Sequence, residues 1–270
     1  MESKKFLLGI GLAIVLVFCG ASVYTHFVKA APNPADRDTL YQVSTIDALM
    51  QGVDDGILPV GELKKHGDFG IGTFDALDGE MILLDGVVYQ AKADGRIYQV
   101  ADTLTTPFAT VTYFGRDLAL TTDTTMNFSV FSSTMAGRLP TENMIYAVRI
   151  HGTFPTMTVR AIPAQHRPYP TLAEAAKNQS VYRYSNTTGT VVGFYTPAFF
   201  SGINVAGYHL HFISDDRQTG GHILDFTVPP NTTIGYDITP EFTMVLPTSG
   251  DFTGVNLSQD LSTDLAKIER

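Results

Sequence analysis

The sequence predicts an α+β protein with two halves rich in β-strands, built from mixed and antiparallel sheets with few short helices. Segments of strand character recur from Gly70 to Leu246, and Asp-Gly pairs at 78–79, 85–86 and 94–95 separate several of them at hairpin spacing. Helical spacing of apolar side chains occurs only in short stretches. The chain is 44% hydrophobic and 17% charged, which is enough apolar material to bury a core.

The first 30 residues are predicted to be a signal peptide. Lys4 and Lys5 precede an apolar run that ends at Phe18, and Val28-Lys29-Ala30 has the small-x-small pattern that signal peptidase recognises. We therefore expect an exported protein with Ala31 as its new terminus, and the short Lys-Lys leader suggests a Gram-positive source. The alternative is an uncleaved membrane anchor, because the 19 residues from Phe6 to Tyr24 could just span a bilayer.

The elements after this segment follow in order from the spacing of their apolar side chains. Residues 38–53 and 58–65 are predicted as helices, and a further helix is predicted over 171–178. A short polar helix or tail is expected over 257–270. The predicted strands cover residues 71–74, 80–84, 86–91, 97–100, 109–114, 144–150, 152–161, 181–184, 190–195, 207–213, 222–228 and 236–246.

A domain boundary is predicted near residues 163–170, where three prolines interrupt regular structure. The N-terminal half would then comprise residues 31–165. The C-terminal half would comprise residues 166–270 and end in the C-terminal tail.

Composition excludes two kinds of chemistry. The chain has 27 acidic and 18 basic residues, a formal net charge of −9, and no basic cluster that could neutralise phosphates, so nucleic acid is not an expected partner. Its single cysteine, Cys19, lies in the predicted signal peptide. The exported chain would therefore have no disulfide and no thiol chemistry.

Three histidines form the strongest chemical signal. Alternate side chains of a strand share a face, so His209 and His211 project together. The turn-forming residues 214–221 let the chain double back, which places His222 beside His211. Three converging imidazoles are the ligand set of a catalytic Zn²⁺ that keeps positions open for water or substrate, although ligand type alone does not distinguish zinc from other divalent metals.

Other interpretations of the histidines are open at this point. His-x-His on a strand can be a solvated surface pair, and a cupin-type metalloenzyme or an exported non-catalytic zinc-binding protein would also place histidines together. The cupin interpretation is weakened because His222 follows too early for a second cupin motif. A structural zinc site usually has a fourth protein ligand, commonly cysteine, which the exported chain lacks.

From about Leu40 almost to its end, the chain resembles the α-acetolactate decarboxylase family of bacteria. Four stretches in the same order carry this resemblance: YQVSTIDALM (41–50), GDFGIGTFDALDGE (67–80), IHGTFPTMTVR (150–160) and HLH (209–211) through to His222. The resemblance implies a carboxy-lyase with two β-rich halves, a zinc ion between them, and assembly as a homodimer.

The resemblance also implies the site residues. It places the zinc ligands at His209, His211 and His222, and gives catalytic roles to Thr73, Glu80, Arg160 and a glutamate near the C-terminus. Glu269 is the glutamate that the tail offers.

The implied reaction is the decarboxylation of (S)-2-acetolactate, a small molecule, to (R)-acetoin and CO₂. Zinc would act as a Lewis acid on the ketone and hydroxyl oxygens, and the resulting enediolate would be protonated stereospecifically. The planar guanidinium of Arg160 suits the carboxylate or the enediolate, and Glu80, Glu269 or Arg160 could supply the proton.

Overall fold

The computed structural model describes residues 37–269, so the predicted signal peptide or anchor lies outside the described residues. The helices are α1 Ile46–Met50, α2 Val60–Leu63, α3 Phe128–Ala136, α4 Leu172–Ala175 and α5 Ser262–Ile268. The strands are β1 Thr39–Val43, β2 Leu58–Pro59, β3 Phe69–Thr73, β4 Glu80–Leu84, β5 Val87–Ala91, β6 Ile97–Gln99, β7 Thr105–Thr106, β8 Ala109–Thr112, β9 Leu118–Thr121, β10 Met126–Asn127, β11 Tyr146–Ala161, β12 Ser180–Thr196, β13 Gly207–Ser214, β14 Gly220–Val228, β15 Thr233–Ile238 and β16 Glu241–Val245.

Two seven-stranded sheets form the body of the protein, which confirms the predicted α+β class. The first has the order β16-β1-β8-β3-β4-β5-β6, and is mixed because β16 runs parallel to β1. The second has the order β10-β14-β13-β12-β11-β15-β9. In the second sheet β14 also pairs with β11, so the ladder from β11 through β12, β13 and β14 closes on itself.

The core is layered. Side chains of the first sheet such as Ile71 and Ile82 pack against Val192 and Phe194 of the second, which buries the space between the sheets. On the outer face of the first sheet lies α2, and α3 covers the opposite face of the second. A separate apolar cluster is formed where α1, α4 and α5 pack together. Burial of this apolar surface is the main stabilising term of the fold.

Residues 38–53 are not one helix as predicted: they form β1 and then α1. The apolar spacing of Leu40 and Val43 was misleading because β1 lies between β8 and β16 and is buried on both faces. Thr45 then caps α1 by accepting a hydrogen bond from the Ala48 N–H.

The helix α3 was missed because its serines and threonine are poor helix formers. Two features of the sequence could have revealed it. Asn127 caps its first turn by accepting from the Val130 N–H at 2.9 Å, and Phe128, Phe131 and Met135 are buried on one face.

Two pairs of predicted strands are each a single long strand. The segments 144–150 and 152–161 merge into β11, and 181–184 and 190–195 merge into β12, because the two long strands pair continuously past Gly152 and Gly189, which lie opposite each other. Conversely, the predicted strand 236–246 is divided between β15 and β16, which belong to different sheets.

The two sheets do not correspond to chain halves that meet at residue 165. Strands β9, β10 and β11 precede that position yet lie in the second sheet, and β16 returns to the first. The parallel pairing of β16 with β1 requires this return. Within residues 37–269, no helix combines the length and the hydropathy that crossing a bilayer requires.

Candidate metal centre and active site

The three predicted metal ligands come together between the sheets. His209 and His211 project from one face of β13, while Tyr208 and Phe212 of the same strand pack into the core on the other face. His222 on β14 is the direct cross-strand neighbour of His211. Gly221 makes this approach feasible, because a Cβ there would lie 2.5 Å from the Arg160 carbonyl oxygen.

The histidine cluster has the geometry of a metal site. One ligand nitrogen of each imidazole lies within 4.8 Å of the others, and the ring centroids are 5.1 to 5.4 Å apart. His211 donates its Nδ1–H to the Met81 carbonyl at 2.8 Å, which leaves its Nε2 as the acceptor that a metal requires. Among residues 37–269, that Nε2 and both ring nitrogens of His222 have no hydrogen-bond partner.

Burial keeps these three imidazoles neutral. Burial lowers the pKa of His209 to about 3, with the Arg160 charge acting in the same direction. The pKa values of His211 and His222 are also well below the ordinary value, and burial is the largest cause. Neutral, buried imidazoles fit a divalent metal, because only the neutral ring offers a lone pair to the ion.

A buried arginine joins two glutamates next to the histidines. Arg160 lies on β11 directly beside His222, and its Nη1 donates to Glu80 Oε1 at 2.9 Å. Its Nη2 donates to Glu269 Oε1 at 3.2 Å. All three side chains are buried, so the charges interact with little screening by solvent.

The second oxygen of each glutamate faces the imidazoles. Glu269 Oε2 lies 3.4 Å from His209 Nε2 and 3.7 Å from His222 Nε2, and Glu80 Oε2 lies 3.7 Å from His211 Nε2. Burial raises the pKa of Glu80 to about 7, against the opposing charge of Arg160. Burial likewise raises the pKa of Glu269.

Thr73 reaches the site through its strand. It pairs with Glu80 across the β3–β4 hairpin, and both residues line one small cavity between the sheets. Its hydroxyl donates to the Gly79 carbonyl at 2.8 Å, so the hydroxyl proton is committed to the hairpin turn. Thr73 therefore fixes the turn that presents Glu80.

Apart from His222, these groups line a small cavity of about 30 Å³. The sequence did not reveal its apolar wall, since apolar residues of this kind are indistinguishable in sequence from ordinary core positions. The wall is made by Ile46, Leu49, Leu77, Phe108, Ile162 and Leu172. This volume holds one or two water molecules, so a larger substrate requires the wall to shift.

A larger cavity of about 660 Å³ lies on the opposite face of β13, where Tyr208 and residues of α3 line it. None of the described residues in its wall is a histidine. Chemistry, rather than volume, therefore identifies the site between the sheets.

Comparison with known proteins gives a consistent result. Residues 40–259 match the family model described as alpha-acetolactate decarboxylase. A relative of that name from Methanosarcina mazei is 51% identical over 233 residues, which cover 86% of this chain and 81% of the relative. Another relative, from Methylococcus capsulatus, is 42% identical and covers 82% of this chain and 85% of its own length.

Solved structures agree with the sequence comparisons. The crystal structure of alpha-acetolactate decarboxylase from Bacillus subtilis strain 168 is 38% identical, has a TM-score of 0.81, and covers 86% of this chain and 98% of its own. A Staphylococcus aureus protein of unknown function, described as similar to this enzyme, has a TM-score of 0.78 at 32% identity, with coverage of 86% and 98%. The chain belongs to the α-acetolactate decarboxylase family, a family of carboxy-lyases.

Proposed function

We propose that the protein catalyses the zinc-dependent decarboxylation of (S)-2-acetolactate to (R)-acetoin and CO₂. Family membership supports the reaction. The observation that carries the proposal is the adjacency of three neutral histidines to the buried ion pairs of Arg160 with Glu80 and Glu269. This arrangement combines a metal-ligand set with groups that handle negative charge and protons.

The metal would be held by the Nε2 atoms of His209, His211 and His222. When bound, zinc supplies Lewis-acid polarisation of the substrate's ketone and hydroxyl oxygens. The three protein ligands leave coordination positions for the substrate, as in other catalytic zinc sites. His211 is oriented for this role by its hydrogen bond to Met81.

Arg160 handles the negative charge of the reaction. Its Nη atoms are held by the two glutamates, while its Nε has no partner among residues 37–269. The Nε–H is therefore one donor that remains for an oxygen of the substrate. Because the guanidinium is always charged and rigidly held, it can stabilise the carboxylate and the charge that develops as CO₂ leaves.

A glutamate completes the reaction by protonation. Cleavage of the bond to the carboxylate releases CO₂ and leaves its electron pair on the substrate as an enediolate, whose carbon must receive a proton on one face. Glu80, with a pKa of about 7, can hold such a proton near neutral pH. Glu269 is the second candidate donor, and Thr73 acts by fixing the turn before Glu80.

We also propose export, with cleavage before Ala31, and assembly as a homodimer. The first is supported by the sequence of residues 1–30 and the second by the family resemblance. The mass of the secreted product tests the cleavage site, and light scattering of the purified protein tests the dimer. A first residue other than Ala31, or a monomer at micromolar concentration, would reject the respective proposal.

The function is tested by measuring acetoin formation from racemic acetolactate together with the metal content of the protein. We expect about one zinc per chain, (R)-acetoin as the product, and loss of both zinc and activity in His211→Ala, since two histidines hold the metal weakly. His151→Ala, an exposed histidine outside the cluster, is the matched control and should be fully active. Stoichiometric zinc in His211→Ala, or full activity without metal, would reject the proposal.

A further inference from the structure

Two consecutive residues in the turn between β3 and β4 have a backbone conformation that L-amino acids rarely adopt. Ala76 has a φ of 60° and Leu77 a φ of 57°, and Gly79 follows with a φ of 81°. Non-glycine residues persist in this left-handed region only where the surrounding structure holds them there. The turn leads directly into Glu80, and Leu77 and Glu80 both line the cavity between the sheets.

Backbone hydrogen bonds from two other segments hold parts of this turn. The Ala76 N–H donates to the Asp54 carbonyl at 2.8 Å, and the Gly79 N–H donates to the Ile162 carbonyl at 3.0 Å. Asp78 lies immediately before Gly79 and is held by side chains instead. The conformation of the turn therefore depends partly on which side chains contact Asp78.

Gln90 and Lys92, at the end of β5, hold Asp78 in what we call the Asp78 clamp. Gln90 Nε2 donates to the Asp78 carbonyl at 2.5 Å and to its Oδ2 at 3.1 Å. The Lys92 ammonium donates to the same Oδ2 at 2.6 Å. Gln90 is only 6% exposed, so a lost partner here would leave a buried polar group unsatisfied, which is costly.

The side chain of Gln90 lies on the opposite face of the first sheet from the metal centre. Gln90 pairs with Met81 across β4 and β5, and Met81 packs in the apolar cluster beside α2. Neighbouring residues of a strand face opposite sides, so Glu80 projects the other way, towards His211. The described residues that line the cavity between the sheets do not include Gln90. The clamp therefore acts on Glu80 through the turn and not by contact.

We propose that Gln90 is a positioning residue: through Asp78 it holds the turn in the conformation that places Glu80 at the metal centre. The inference rests on the function proposed above, because it concerns a group assigned to protonation of the enediolate. Loss of the clamp allows the turn to leave its left-handed conformation, which shifts Leu77 and Glu80 together. The histidines and Arg160 lie on other strands, so metal binding and substrate anchoring should change little.

The experiment compares Gln90→Leu with the unchanged zinc-loaded protein in steady-state kinetics. Leucine has a similar size but cannot donate either hydrogen bond. We expect kcat to fall by about 10- to 100-fold with KM within about twofold, since a misplaced reacting group slows the chemical step without weakening substrate binding. The zinc content should be unchanged. The optical purity of the acetoin should decrease, which a smaller fraction of folded protein would not cause.

Three further variants test the contacts of the clamp. Asp78→Ala removes the acceptor, and its effect on kcat should not add to that of Gln90→Leu, because both changes remove the same contact. Lys92→Met, at a partly exposed position where folding is not at risk, should lower kcat by a smaller factor of about two to five. Gln99→Leu, which changes an exposed glutamine of β6, is the matched control and should behave like the unchanged protein.

Amide hydrogen exchange measures the turn independently of activity. In Gln90→Leu the amides of residues 74–80 should exchange at least about tenfold faster than in the unchanged protein, because the clamp no longer opposes local opening. The amides of β13 and β14 should keep their rates. Equal exchange of residues 74–80 in the two proteins would overturn the proposal.

The kinetic results can overturn the proposal in two ways. Full kcat with full optical purity in Gln90→Leu would do so, as would additive effects of Gln90→Leu and Asp78→Ala. If Gln90→Leu does not fold, Lys92→Met decides by the same two readouts. If the unchanged protein forms no acetoin, the proposed function is rejected, and the exchange of residues 74–80 alone then decides whether the clamp holds the turn.

Discussion

At the scale of single residues, Arg160 organises the carboxylates of the candidate site. Its guanidinium holds Glu80 and Glu269, which are far apart in the chain, in one buried group. Removing charges from water is costly, and the two hydrogen-bonded contacts offset that cost. Side-chain geometry, and not charge alone, is therefore what the site requires at this position.

Arg160→Lys should lower kcat by about 10²-fold or more while the zinc content and the fold are retained. A lysine keeps the charge but has no planar fork, so it cannot hold both glutamates and also donate to the substrate. Steady-state kinetics with metal analysis measure this, and Arg149→Lys, paired with Asp85, is the control that should leave kcat unchanged. A rise in KM with kcat intact would instead show that Arg160 only anchors the bound substrate.

Glu80→Gln should reduce turnover with zinc still bound, because the amide preserves size but cannot transfer a proton. The readouts are kcat and the optical purity of the acetoin, with Glu241→Gln as an exposed control. Loss of optical purity at near-normal rate would mean that Glu80 directs the proton without limiting the reaction. Full rate with full stereocontrol would transfer the proposed role to Glu269.

Asp237 is expected to make the stability of the folded protein depend on pH. Its side chain is buried, and burial raises its pKa to about 8, aided by the neighbouring Asp117. The pKa of Asp237 is higher in the folded protein than in the unfolded chain. The protonated Asp237 therefore contributes its full share of stability below about pH 4, and this share is lost as the pH rises through about 8. Asp237→Asn stays neutral, so its stability relative to the unchanged protein should increase by up to about 1.4 kcal/mol per pH unit between pH 5 and 8.

Urea unfolding of both zinc-loaded proteins at pH 5 and pH 8 measures the effect on Asp237. The difference in the free energy of unfolding between the two proteins is compared at the two pH values, because this cancels the pH dependence of metal binding that both proteins share. The exposed variant Asp123→Asn should show no such trend. If the difference in the free energy of unfolding were the same at pH 5 and pH 8, the raised pKa of Asp237 would be contradicted.

At the scale of elements, α5 positions Glu269. The helix buries Leu265 and Ile268 against α1 and α4, while the side chains between them are exposed. Glu269 follows immediately and enters the cavity between the sheets. The same apolar cluster thus stabilises the C-terminal helix and determines where the last carboxylate of the site lies.

Ile268→Ala should reduce kcat by about 10- to 100-fold with little loss of zinc. Truncation of this anchor displaces Glu269, and a small displacement of a reacting group is costly for rate. Global Tm should fall only slightly, because α5 is a terminal element that can unfold locally. Lys267→Ala, an exposed neighbour paired with Asp264, is the control; equal kcat values for the two variants would separate α5 from catalysis.

At the scale of the whole molecule, the proposed metal centre connects the two sheets. The histidines lie on β13 and β14 of the second sheet, whereas Glu80 and the Met81 carbonyl belong to β4 of the first. Without metal, several ring nitrogens in this interface have no partner among residues 37–269. Stability and metal binding are therefore expected to be coupled.

Removal of zinc should lower Tm by roughly 10 °C, since a ligand at 1,000 times its Kd stabilises the folded state by about 4 kcal/mol. Calorimetry before and after dialysis against chelator measures the shift, and added zinc should restore it. In His209→Ala, added zinc should give no such recovery. An unchanged melting curve with the metal demonstrably gone would contradict the coupling.

The sequence by itself predicted what local periodicity determines. The shared face of His209 and His211 follows from the two-residue repeat of a strand, and His222 follows from one short turn. The roles of Glu80, Arg160 and Glu269 came from the family resemblance and remain predictions, but the structure does bring these residues together. The sheet-rich α+β class was likewise evident from the hairpin spacing.

Only the tertiary structure decided what depends on distant partners. Burial of β1 between β8 and β16 made a segment with helical spacing into a strand. Because β16 returns to the first sheet, the two sheets do not correspond to chain segments before and after residue 165. Arg160 meets carboxylates 80 and 109 positions away in the chain. No local pattern encodes such contacts, because they arise when separate apolar faces pack against each other and bring distant charged groups together.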